Sequence, residues 1–128
     1  MTLTATIGIA CASQAVSPAI RPDKEIERKI ENTLGRMTLE EKIGQMTELS
    51  IDVLGEWKDG EFRLDRDKLH NAIAKFKVGS VLNAPGPVAQ TPEKWQEIIG
   101  LIQEVSMKEI GIPCIYGLDQ NHGTTYTL

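Results

Sequence analysis

The stretch IPCIYGLDQNHG, residues 112–123, changes character half-way along. Its first half is a nearly continuous apolar run, which predicts a strand buried on both faces, as parallel strands covered by helices are. Its second half supplies an acid, two amides and a histidine. An isolated buried carboxylate is costly, so Asp119 has to be hydrated, paired or bound to a ligand. The carboxyl ends of parallel strands are where open α/β sheets and barrels gather their ligand sites.

Working outward, the segment before this strand reads as a helix. Thr91 caps it, Pro92 opens it, and Trp95, Ile98, Ile99, Ile102 and Val105 recur on one face before Gly111 ends it. The loop APGPVAQ (84–90) separates it from VGSVLN (78–83), a short β-branched run that reads as a second strand ending at Asn83. Ahead of that strand, DRDKLHNAIAKFK (65–77) places Leu69, Ile73 and Phe76 at helical spacing behind Asp65 or Asp67 as a cap. The rhythm is helix, strand, helix, strand. Two parallel strands joined by a crossover helix make one β-α-β unit and leave two open edges.

A helical entrance precedes this unit. DKEIERKIENTLGRM (23–37) sets Ile26, Ile30, Leu34 and Met37 on one face with charges opposite. In TLEEKIGQM (38–46), Thr38 and Glu41 form a capping box that satisfies two orphan backbone N–H groups. Asp59-Gly60, inside WKDGEF (57–62), suits the left-handed turn of a hairpin or tight loop.

Composition narrows the classes. The chain has 128 residues, 41% hydrophobic and 25% charged, enough for one domain with a core. The formal net charge is -4 and the cations alternate with acids, so no basic stripe offers itself to nucleic acid. Cys11 and Cys114 lie far apart and suggest neither a disulfide framework nor a metal-ligand spacing. Residues 1–22 read as an export signal or leader with a linker: the segment lacks charge before Arg21, with a short apolar stretch from Ile7 to Ala12 and small residues beyond. A disordered tail is the other reading. IACAS resembles a lipoprotein signal in which Cys11 is the lipidated residue, although Gly8 stands where a larger aliphatic residue is usual. The expected location is export, to the periplasm or as an outer-membrane lipoprotein.

Three readings of the polar cluster compete. Asp119 can accept hydrogen bonds from two hydroxyls of a sugar, since a carboxylate has two acceptor oxygens and charge-assisted bonds are the strong ones. Asp119 and His122 can share a metal at a spacing of three, although two ligands are too few to specify one. Asp119 can also cap the following turn while His122 meets a backbone carbonyl.

MTLEEKIGQM, VGSVLN and IPCIYGLDQNHG, in that order, resemble the start of the catalytic barrel of glycoside hydrolase family 3, to which many β-glucosidases belong. The likeness covers about residues 24–128. It implies a (β/α)8 barrel of the TIM type, of which residues 23–128 form an incomplete N-terminal portion. It also implies retaining hydrolysis of terminal non-reducing β-D-glucosyl residues through a covalent intermediate, with no cofactor and no metal. By the same resemblance, Asp119 binds hydroxyls of the sugar in the −1 subsite. His122 shapes the loop, and Gly117 and Gly123 let the backbone bend beside the ligand.

No residue of this chain is assigned as catalyst. Retaining hydrolysis needs a nucleophilic carboxylate and an acid/base carboxyl about 5 Å apart, and the family's pair lies later in sequence than Leu128. The chain is therefore expected to be inactive alone, a piece of a barrel that needs around 250 residues. The alternatives are a non-catalytic carbohydrate-binding module, using Asp119 with Trp57 or Trp95, and a vestigial exported protein.

Overall fold

The computed structural model describes residues 23–121, 123 and 126–128; the leader with Cys11, and His122, lie outside the described residues. The chain forms α1 (Lys24–Arg36), α2 (Leu39–Gln45), β1 (Glu48–Ser50), a 3-10 turn (Ile51–Leu54), β2 (Gly55–Lys58) and β3 (Glu61–Leu64). α3 (Arg66–His70) follows and continues as a π-helical turn (Asn71–Lys75); then come β4 (Ser80–Leu82), α4 (Pro92–Glu109) and β5 (Ile115–Gly117).

β1, β4 and β5 form a parallel sheet in that order. The sheet thus holds two β-α-β steps instead of the single one expected. β1 escapes sequence reading because Glu48–Ser50 is too short and too polar to show a period. It becomes a strand by pairing with β4, Leu49 opposite Val81. β2 and β3 are a separate antiparallel hairpin. Asp59 and Gly60 at its tip have φ of 54° and 81°, the paired left-handed conformation that the sequence anticipates there.

One face of the sheet carries the core. Leu49, Val81 and Tyr116 stand in register, Val81 fully buried and the other two against a cluster that includes Leu69, Ile73, Ile98 and Ile102. Among the described residues, no helix covers the opposite face. Ile115 is 70% exposed, so β5 is buried on one face only, contrary to the sequence expectation. The reason is the pleat: successive side chains alternate faces, so a strand with helices on one side only has half its residues facing away from them.

The sequence assigns α4 correctly, Thr91 Oγ accepting from the Lys94 N–H and Pro92 in the first turn. Its stripe carries polar residues too. Gln103 Nε2 donates to the Cys114 carbonyl at 2.6 Å and Gln103 Oε1 accepts from the Cys114 N–H at 3.0 Å. The side chain thus mimics a peptide unit and pairs the start of β5, while Ser106 Oγ donates to the Ile112 carbonyl.

α3 begins at Asp65, whose carboxylate accepts from the Asp67 and Lys68 N–H groups. Leu69 and Ile73 are buried as the spacing predicts, but Phe76 is 55% exposed. The wide π turn, closed by the Phe76 N–H donating to the Asn71 carbonyl, rotates Phe76 off the stripe. The helical entrance meets the sheet through backbone. The Gly79 N–H donates to the Gly44 carbonyl and Gln45 Nε2 to the Lys77 carbonyl. A Cβ at Gly44 or Gly79 would run into the Phe76 or Gln45 carbonyl oxygen, so only glycine admits this approach.

Candidate functional site at the carboxyl ends of the sheet

All three parallel strands deliver polar residues to one end. β1 runs into Ser50 and Asp52, β4 into Asn83, and β5 into Asp119. Parallel pairing makes this juxtaposition automatic, because strands aligned in one direction also end on one side.

Backbone and side chains fix the floor of this end. The Asn83 N–H donates to the Gly117 carbonyl at 3.0 Å, extending the β4–β5 ladder one residue past the strands. Asn83 has φ of 76°, the left-handed conformation that asparagine tolerates better than most residues. Its carbonyl accepts from the Tyr116 hydroxyl at 2.7 Å. Burial pushes the Tyr116 phenol far above its ordinary range, with the Asp52 carboxylate and Cys114 adding to the effect. Tyr116 is therefore a neutral donor that braces the β4 terminus. Its ring meets Trp95 edge-on at 5.8 Å, and Trp95 Nε1 donates to the Tyr126 carbonyl.

Asp119 lies two residues beyond β5 and is exposed. Asn83, half-buried, and Asp119 thus stand on the same end of adjacent strands. Gly117 is a regular strand residue whose missing side chain leaves room for Leu82, where a Cβ would lie 3.0 Å from Leu82 Cδ1. Gly123 has φ of 92°, and its N–H donates to the Gln120 carbonyl, closing a turn beyond Asp119. The backbone after the turn returns to the loop ahead of α4: the Gln90 N–H donates to the Tyr126 carbonyl and the Leu128 N–H to the Gln90 carbonyl.

Sequence reasoning misses Asp52. Its carboxylate accepts from the Gly86 N–H at 3.0 Å and from the Ser50 hydroxyl at 3.3 Å, tying the end of β1 to the loop after β4. The available signal was its position just after ELS, which is informative only once β1 is known to be a strand. Cys114 is buried at the other end of β5, and burial pushes its thiol up to about 11, so it is not a poised nucleophile. Among the described residues, no three His, Cys, Asp or Glu side chains gather as a metal set.

The chain is similar to a β-glucosidase. It is 32% identical over 106 residues to a protein described as lysosomal beta glucosidase from Dictyostelium discoideum. The match takes in 76% of this chain and 13% of that relative's length. No protein-family model matches the chain. Its described residues form a partial α/β fold with a parallel sheet and no closed barrel.

Proposed function

We propose that this chain is the N-terminal part of the barrel of a glycoside hydrolase of family 3 that removes terminal non-reducing β-D-glucosyl residues, and that Asp119 binds the sugar in its −1 subsite. The observation that supports this best is the placement of an exposed carboxylate at the end of β5, beside Asn83 at the end of β4, in a chain similar to a β-glucosidase. Two acceptor oxygens suit the adjacent hydroxyls of a pyranose, and each charge-assisted bond contributes about 1.5–3 kcal/mol.

In this reading Asp119 orients the glucose and is not itself the nucleophile. The retaining reaction needs two carboxyls about 5 Å apart, and other parts of the enzyme supply them. Hydroxyl contacts that tighten as the ring distorts lower the barrier for the nucleophile's attack. Asn83 and Tyr116 brace the end of the β4–β5 pair from which the chain runs on to Asp119. In the same reading the leader directs export and lipidation at Cys11 anchors the protein, which labelling with a radiolabelled fatty acid tests.

Asp119→Asn, made in an enzyme containing this chain, lowers kcat/KM for an aryl β-glucoside by roughly two orders of magnitude or more, with an unchanged melting temperature. Unaltered kinetics would remove Asp119 from the site. Turnover by the 128-residue chain alone would overturn the partial-site reading.

A further inference from the structure

We propose that the groove between the β2–β3 hairpin and the start of α4 is a second sugar site, in which the Trp57 indole stacks on one unit of a β-linked oligosaccharide. This inference rests on the glycoside reading above and extends it to a longer substrate.

Trp57 is a large aromatic residue left 40% exposed, and it is held in place on its other sides. Gly86 packs against the indole: a Cβ there would sit 2.8 Å from Cζ2 and 3.0 Å from both Cε2 and Nε1. Gly86 has φ of 57° and its N–H donates to the Asp52 carboxylate at 3.0 Å, which ties the loop beside the ring to the end of β1. The buried Phe62 ring meets Trp57 edge-on at 6.0 Å. An aromatic surface fixed in this way loses little freedom when a ligand covers it.

Beside Trp57 opens a groove of about 430 Å³, lined by Glu61 from the hairpin, Val88 and Gln90 from the loop, and Glu93, Lys94 and Glu97 from α4. Lys94 is paired with Glu97 at 2.9 Å and Glu61 with Arg63 at 3.5 Å, so the uncompensated negative charge of the lining is that of Glu93. Such a lining repels phosphates and carboxylates and accepts hydrogen bonds from hydroxyls. A neutral ligand with many hydroxyl donors and an apolar C–H face matches both halves. The all-equatorial β-glucosyl unit is that kind of ligand: its axial C–H bonds meet the electron-rich face of the indole while its hydroxyls point outward to the carboxylates. A quaternary ammonium would also be drawn to an aromatic face and acids, but such cations are held by cages of several aromatics, and Trp57 is the one aromatic in this lining.

The groove also has a useful position. The hairpin follows β1 and the loop follows β4, so both rise from the carboxyl end of the sheet, the end that bears Asp119. A chain of sugars gripped at Trp57 would keep substrate at that end between encounters with the −1 subsite.

The test uses the full chain labelled with 5-fluorotryptophan, whose two 19F resonances report Trp57 and the buried Trp95 and are assigned with Trp57→Phe. Titration with cellotetraose at millimolar concentration moves the Trp57 resonance saturably and leaves that of Trp95 in place. Glu61→Gln combined with Glu93→Gln weakens the apparent affinity about tenfold. The proposal is overturned if the Trp57 resonance stays still, if both resonances move together, or if choline moves it and cellotetraose does not. Asp119→Asn separates the two readings. It keeps the Trp57 response if the groove is a site of its own, and loss of the response in that variant overturns the groove, whereas normal kinetics of the same substitution in an enzyme containing this chain counts against the −1 subsite alone.

Discussion

α4 and α1 have the same kind of sequence and opposite fates. Both begin at a side-chain cap and both carry an apolar stripe at helical spacing. α4 buries Trp95, Ile98 and Ile102 against the sheet, whereas α1 buries nothing and leaves Ile26, Ile30 and Leu34 54%, 47% and 48% exposed. The stripe of α1 instead borders a groove of about 500 Å³ that Met37, Met46 and Ile112 share. Amphipathicity specifies a helix and the face it would bury; the burial itself needs a partner surface. The energetic consequence is that residues of equal hydrophobicity differ in what they contribute, because stabilisation follows the area removed from water.

The widest gap between the two helices lies at isoleucine. Ile102→Ala, in the packed core, costs about 2–5 kcal/mol through lost transfer energy and a cavity, read as accelerated amide exchange of β4 and α4. A loss below about 1 kcal/mol there would mean that the α4 face is no better packed than that of α1.

Gln103→Leu sharpens the comparison from the polar side. It keeps α4 apolar but leaves the Cys114 N–H and carbonyl without partners, costing about 1–3 kcal/mol. Exchange protection concentrated at residues 114–117 should fall. An equally protected β5 would show that the docking of α4 is hydrophobic alone.

Alkaline pH acts on the same junction. The Cys114 thiol is raised by burial from 9.0 to about 11. The folded state therefore holds a proton that the unfolded chain gives up sooner, so its contribution is complete below about pH 9 and lost as pH rises through about 11. Cys114→Ala should flatten the loss of secondary structure over that window, measured by circular dichroism, and an unchanged profile would assign the alkaline loss to other groups.

Smaller effects belong to the helical entrance. Thr38→Ala removes the oxygen that accepts from the Glu41 N–H at 3.2 Å and leaves the backbone half of the capping box, the Thr38 N–H to the Glu41 carboxylate, in place, costing about 1 kcal/mol. Ile30→Ala costs less than about 0.5 kcal/mol, because its side chain is already half in water. If Ile30→Ala were as costly as Ile102→Ala in this chain, α1 would have a partner that the described residues do not contain.

Local signals were legible in the sequence wherever short-range chemistry decides. The caps at Thr38 and Thr91, the choice of Asp65 or Asp67 ahead of α3, the Asp59-Gly60 turn and the spacing of α4 all depend on residues within one or two turns of each other. The polar run after β5, with Asp119 in it, was also readable, because a change from apolar to polar marks where a strand leaves the core.

The tertiary structure decided what depends on partners distant in sequence. β1 is a strand because β4 is beside it, and Asp52 reaches the strand ends because Gly86 is there to receive it. Phe76 left its stripe when the π turn added a residue, and Ile115 is exposed because strand side chains alternate and, among the described residues, its face of the sheet carries no helix. Sequence periodicity fixes an element's internal geometry through contacts three and four residues away. Which of its faces is covered is set by contacts between residues tens of positions apart, and no local pattern encodes those.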